Sequence, residues 1–141
     1  MSQLKAKAMA KINLTLDVTG RRDDGYHDIE SVMQSVTLCD IVSLSAFDGG
    51  SDITVSCFGR SCGEENTAYM AAREFMRISG KKLSVRIEIE KQIPQAAGLG
   101  GGSADAAAVL VMLNEAYGPV GRGELYEAAL NVGADVPFCI S

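Results

Sequence analysis

Residues 94–108 read PQAAGLGGGSADAAA. Four glycines, Gly98, Gly100, Gly101 and Gly102, fall within five positions, and strong helix formers follow at once. Glycine loses more backbone freedom on ordering than any other residue, so a cluster ahead of a helix needs a reason. On the residues alone two reasons stand. One is a plain flexible loop. The other is close approach of an anion to bare backbone N–H groups, joined by the free amides and positive dipole end of a helix over 103–117. Ser103 then sits at the N-cap, where its hydroxyl serves the first turn or a phosphate oxygen. The GxxxxGK[ST] loop is excluded because no lysine follows the glycines. The dinucleotide fingerprint fails too: Gly98-x-Gly100-x-x-Ser103 lacks the third glycine, and the region about twenty residues on is helix or its exit, not the end of a strand.

Outward from this stretch, alternation marks the strands. Ile12, Leu14, Leu16 and Val18 alternate with Asn13, Thr15 and Asp17, and Lys11 shares the polar face of that strand. On pattern alone Lys11 is a solvated lysine. Gly20–Gly25 (GRRDDG) reads as a charged turn, and 29–37 and 41–47 as two strands divided by Cys39-Asp40. A further strand over 52–58 follows the turn signal Asp48-Gly49-Gly50. Asn66 is placed to cap a helix over TAYMAAREFMRI, closed by Gly80. Leu83, Val85, Ile87 and Ile89 alternate with polar residues, and Pro94 ends any extension of that strand. A last helix over about 123–132 stops at Gly133 as a helix C′ residue would. Strands, a helix, a strand and two helices make a segregated α+β pattern in one domain.

The totals bound the function classes. A formal charge of −5 repels nucleic acid, and no basic run with interleaved aromatics offers a local patch. Cys39, Cys57, Cys62 and Cys139 form no CxxC pair, and the single histidine, His27, completes no zinc site of the usual spacing. Cys39, Cys57 and Cys139 lie in apolar or strand-like runs and are expected as small buried hydrophobes. Free thiols suit a reducing compartment, two disulfides being the alternative. Lys5, Lys7, Lys11 and Asn13 interrupt any signal-peptide pattern, and the run Ala106–Leu113 is too short to span a bilayer. A soluble cytoplasmic chain without membrane or nucleic-acid partners is expected. Its final stretch, GADVPFCIS, reads as a break just ahead of a buried strand, or else as a docked last strand.

Pro94-x-x-x-Gly98-Leu99-Gly100-Gly101-Gly102-Ser103-Ala104 resembles the phosphate loop of the GHMP kinases. AKINLTLDVTGRRDDGYHDIESVMQSV at 10–36, EENTAYMAA at 64–72 and GADVPF at 133–138 extend the resemblance over essentially the whole chain. Within that superfamily they are similar to the N-terminal domain of the kinases acting on 4-diphosphocytidyl-2-C-methyl-D-erythritol. The resemblance implies the α+β fold of ribosomal protein S5 domain 2, a mixed sheet with helices on one side. Residues 1–141 would be the ATP-binding N-terminal domain, and the C-terminal GHMP domain has no counterpart in the chain.

The implied reaction moves the γ-phosphoryl of ATP to the substrate's 2-hydroxyl, in non-mevalonate isoprenoid synthesis. The resemblance puts ATP on Pro94, Gly98, Leu99, Gly100, Gly101, Gly102 and Ser103, with Asn66 near the nucleotide. It makes Asp135 and Lys11 the catalytic pair and gives the cytidine-bearing substrate Asn13, Tyr26 and His27. Mg²⁺ is implied only through ATP. Asp105, in the first turn of the loop's helix, suits the helix dipole but repels phosphate, and is read as structural rather than as a metal ligand. A half-enzyme of this kind is expected to turn over poorly alone. The alternatives are a noncatalytic nucleotide-binding or structural fragment, and another GHMP small-molecule kinase, against which Gly25-Tyr26-His27 argues.

Overall fold

The alternation over 83–90 is realised residue by residue. In the computed structural model, which describes residues 2–14, 32–57, 60–92 and 101–140, Leu83, Val85, Ile87 and Ile89 are buried while Arg86, Glu88 and Glu90 face solvent. This strand, Leu83–Glu90, is β5. Before it come β1 (Ser2–Leu14), β2 (Val32–Asp48), β3 (Ile53–Cys57), β4 (Arg60–Cys62) and helix α1 (Thr67–Ser79); after it come α2 (Gly101–Tyr117), α3 (Arg122–Val132) and α4 (Val136–Ile140). The strands form one sheet in the order β1-β2-β5-β3-β4, with β3 and β5 parallel and the other neighbours antiparallel. The sheet is mixed, as expected for the α+β class.

Register puts apolar on apolar. Val42, Leu44 and Ala46 of β2 face Ile89, Ile87 and Val85 of β5, and Val55 of β3 faces Ile87. These side chains line one face of the sheet, and the helices cover that face. α1 packs on α2 and α3, while α2 lies across β1 and β2. Residues 104–110 of α2 are buried without interruption, so its apolar run belongs to a central helix enclosed on all sides. Alanines at 68, 71 and 72 of α1 and at 104, 107 and 108 of α2 join one core cluster, and small side chains let helix axes come close. No helix among the described residues is long and apolar enough to cross a membrane.

α1 has the predicted ends. Asn66 accepts from the Ala68 N–H at 2.8 Å, and Gly80 takes the left-handed conformation (φ 71°) with its N–H on the Met76 carbonyl. Gly49 and Gly50, both at positive φ, make the expected turn after β2.

Elsewhere the structure corrects the local reading. β1 begins at Ser2, ten residues before the predicted start at Ile12, because Leu4, Ala6 and Ala8 alternate with exposed Lys5 and Lys7. Its small alanines hid the period, and positions 15–18 of the predicted strand lie outside the described residues. The two strands expected at 29–37 and 41–47 are one, since Asp40 does not break β2 but is buried within it. β2 instead bulges, spending four residues from Ser35 to Cys39 where β1 spends two from Lys11 to Met9. β4 was not foreseen. α2 starts at Gly101, so Ser103 lies in its first turn and is not the N-cap. Gly133 does end α3, but in an extended conformation (φ −176°) rather than a left-handed one. Val136–Ile140 is a short helix, not the docked last strand. Pro137 suits its first turn, where a missing N–H costs nothing. All four cysteines are only partly buried, so Cys39, Cys57 and Cys139 are not the enclosed hydrophobes expected.

Phe75 of α1 is the largest wholly buried side chain among the described residues and belongs to the core cluster. Phe75→Ala is expected to cost about 3–5 kcal/mol of unfolding free energy. Urea denaturation checks this, and a loss below about 1 kcal/mol would contradict the packing described.

Candidate functional site

The first turn of α2 lies between two clefts. On one side Asn66 and Thr67 from the start of α1, Lys91 after β5, and Gly102 and Asp105 of α2 border a cleft of about 310 Å³. Thr67 Oγ1 donates to the Gly102 carbonyl at 2.7 Å, tying the N-termini of the two helices together. A Cβ on Gly102 would stand 3.3 Å from that hydroxyl, so glycine allows the close approach. On the other side Ala6–Met9 of β1, Ala104 and Ala108 of α2, and Cys139 of α4 border a smaller cleft of about 190 Å³.

A charged cluster sets the floor of the larger cleft. Lys91 Nζ donates to Asp40 Oδ2 at 2.7 Å and to Asp105 Oδ2 at 2.9 Å, and the Gln92 N–H donates to Asp40 Oδ1 at 2.6 Å. The Lys91 side chain is 6% exposed and both carboxylates are buried. Burial works against the ammonium, but its two carboxylate hydrogen bonds outweigh that and hold the Lys91 pKa above its usual value. Burial, then the neighbouring Asp40, pushes the Asp105 carboxyl up to about 8 against the pull of Lys91. Asp105 Oδ1 has no hydrogen-bond partner among the described residues. A proton on Asp105 reconciles two carboxylates with one ammonium out of water.

The residues singled out from sequence fall as follows. Gly101 and Gly102 open α2, Ser103 lies in its first turn, and Asn66 caps α1 beside the larger cleft. Lys11 and Asn13 lie in β1, paired with Ser35 and Met33 of β2. Asp135 occupies the turn between α3 and α4. β1, which carries Lys11, and α4, which follows Asp135, both pack on α2. Tyr26, His27, Pro94, Gly98, Leu99 and Gly100 lie outside the described residues. Lys91 and Asp40 were missed, and Asp105 was read only as a first-turn carboxylate. A charge flanked by apolar neighbours, as in Leu38-Cys39-Asp40-Ile41-Val42 and Ala104-Asp105-Ala106, was the signal that could have found the carboxylates.

Residues 66–141 match the profile of the GHMP kinases N terminal domain. The chain belongs to the GHMP kinases. Two relatives, both called 4-diphosphocytidyl-2-C-methyl-D-erythritol kinase, are 49% identical over 140 residues (Desulfitobacterium hafniense) and 47% identical over 136 (Syntrophomonas wolfei). They match 99% and 96% of this chain but 47% and 48% of their own lengths. The chain thus spans about half the length of these relatives. A crystal structure of 4-(cytidine 5'-diphospho)-2C-methyl-D-erythritol kinase superposes with a TM-score of 0.73 at 40% identity, over 97% of this chain and 48% of that one. Homoserine kinase from Cytophaga hutchinsonii shares the fold, with a TM-score of 0.69 at 20% identity over 99% of this chain and 42% of its own.

In this GHMP domain the protonated Asp105 has a thermodynamic consequence. Its pKa is about 8 when folded and near 4 when unfolded, so between those values the folded chain holds a proton that the unfolded chain releases. Rising pH therefore destabilises the fold, by up to about 1.4 kcal/mol per pH unit for one proton. Asp105→Asn is expected to gain stability relative to the parent from pH 5 to 8 and then level off. Urea midpoints across that range test this, and a difference independent of pH would refute the shift.

Proposed function

We propose that residues 1–141 are the ATP-binding N-terminal domain of a cytoplasmic kinase. It would transfer the γ-phosphoryl of ATP to the 2-hydroxyl of 4-diphosphocytidyl-2-C-methyl-D-erythritol, in isoprenoid precursor synthesis by the non-mevalonate route. A C-terminal GHMP domain would complete the site. The observation that carries this reading is the N-terminus of α2, opening on glycine between two clefts. The identity of nearly half to kinases with that name supports the substrate.

The triphosphate lies along Gly98–Ser103, which includes Leu99 and follows Pro94. Backbone amides and the helix dipole there replace the lysine of commoner phosphate loops. The nucleoside occupies the cleft beside Asn66. Asn66 Oδ1 is already engaged as a cap, so its NH₂ is the group left to donate. The acceptor alcohol approaches from the β1 and α4 side. Asp135 orients the 2-hydroxyl and takes its proton as the oxygen becomes a nucleophile. Lys11 keeps Asp135 ionised and offsets charge developing on the transferred group. Asn13 contacts the substrate, Tyr26 stacks on the cytosine and His27 reads its edge.

Mg²⁺ neutralises the triphosphate in such transfers. Among the described residues no group of three His, Cys, Asp or Glu forms a metal cage.

Two measurements test the reading. Isothermal titration of the 141-residue chain should detect ATP·Mg²⁺ and show binding weakened at least about tenfold by Gly102→Val, whose side chain would crowd Thr67 and the phosphates. Equal binding by the parent and this variant would refute the cradle. Joining the chain to the C-terminal half of the Desulfitobacterium hafniense relative should yield substrate-dependent ADP release. In that fusion Asp135→Asn is expected to lower kcat by about a hundredfold or more. Undiminished turnover would remove Asp135 from the chemistry, and a fusion that binds ATP without turnover would favour a noncatalytic nucleotide-binding module.

A further inference from the structure

β3 and β4 form a hairpin whose register pairs Cys57 with Arg60 and Val55 with Cys62. Residues two apart on a strand share a face, so Cys57 and Cys62 lie diagonally on the side that buried Val55 turns to the core. Their sulfurs are 3.1 Å apart, Cys62 donating to Cys57, and they are not joined by a disulfide. A disulfide bond is about 2.0 Å long, so closure needs a further approach of about 1 Å. β4 is three residues long and at the sheet edge, with one neighbouring strand, so it can yield that distance. Cys57 also borders the larger cleft beside Asn66 and Lys91, where a small solute reaches it.

We propose that Cys57 and Cys62 are a disulfide-forming thiol pair, closed by exchange with a small-molecule disulfide, that clips β4 to β3 on the wall of the larger cleft. Burial, then the hydrogen bond from Cys62, pushes the Cys57 thiol up to about 12, which leaves the first attack to Cys62. The Cys62 thiolate attacks one sulfur of the disulfide RSSR, a Cys62–SR bond forms, and RS⁻ leaves with a proton from solvent. Cys57 then gives its proton to solvent and attacks the Cys62 sulfur; the S–R bond breaks and a second RS⁻ leaves. Two cysteine thiols are oxidised and one RSSR is reduced to two RSH. The clip fixes the Cys57 sulfur in the cleft wall, where it no longer yields to a bound solute.

The test is to incubate the 141-residue chain with oxidised glutathione and read its mass without reduction. The expected product has lost two hydrogens and carries a Cys57–Cys62 link. Trypsin cuts after Arg60, between the two cysteines, and fragmentation separates Cys57 from Cys39 on the same tryptic peptide. Cys57→Ser should instead stop with one glutathione on Cys62. Phenylarsine oxide, which bridges two adjacent thiols, should bind the parent one-to-one and neither Cys57→Ser nor Cys62→Ser. A parent chain that stops at the mixed disulfide, links Cys62 to Cys39 or Cys139, or fails to bind the arsenical overturns the proposal. Oxidation should also weaken ATP·Mg²⁺ binding by about threefold or more. That last readout rests on the nucleotide reading above. A chain that never binds ATP refutes that reading, while the mass and arsenical results judge the thiol pair on their own.

Discussion

Lys91 reaches from the end of β5 to Asp40 inside β2 and to Asp105 inside α2, and all three side chains sit almost wholly out of water. Charges in that position are held only by close, hydrogen-bonded partners, and an unpaired one costs several kcal/mol. The cluster therefore admits one placement of the central helix over the sheet. Moving α2 by a residue would leave the buried Asp105 carboxyl without Lys91 and take from Lys91 one of its two acceptors. Since α2 begins at Gly101, four residues before Asp105, the pairing also sets where the helix amides emerge. The position proposed for the phosphates follows from where a lysine finds its carboxylates.

Around that anchor the rest of the architecture serves the same end. Residues 104–110 of α2 are buried without interruption, so its first turn is backed by a packed helix. Thr67 binds the Gly102 carbonyl and locks the start of α1 beside it, and Asn66 caps α1 at the rim of the same cleft. β1 and α4 close on the opposite flank. A helix start held this firmly is pre-organised for an anion, which lowers the ordering cost of binding.

Much of this was legible in order along the chain. β5 and α1 obey a single period, and their ends carry the residues that caps and turns demand, so local pattern sufficed. It failed where a residue's environment is supplied from far away in sequence. Asp40 looks like a strand break until Lys91, fifty-one positions on, is seen to neutralise it. Gly102 looks like loop until Thr67 is seen to need the space that a side chain would fill. Val136–Ile140 has the apolar, β-branched content of a strand but lies against α2 and α3 as a helix. The site divides in the same way. The glycine stretch, Asn66 and Asp135 were marked by motif, whereas Lys91 and Asp40 carry no motif and emerge only as partners.

The sequence by itself determined the class of the fold, the family, and a glycine-rich stretch that runs into a helix without the usual lysine. Each of these rests on short-range facts: periodicity, glycine's freedom and contiguous motifs. Tertiary structure decided which charges are buried, that β2 is continuous, and that two clefts flank α2. It also set two cysteines sulfur to sulfur across a hairpin. Those depend on contacts between residues that pattern treats separately, and on the cost of removing a charge from water, which only a folded interior imposes.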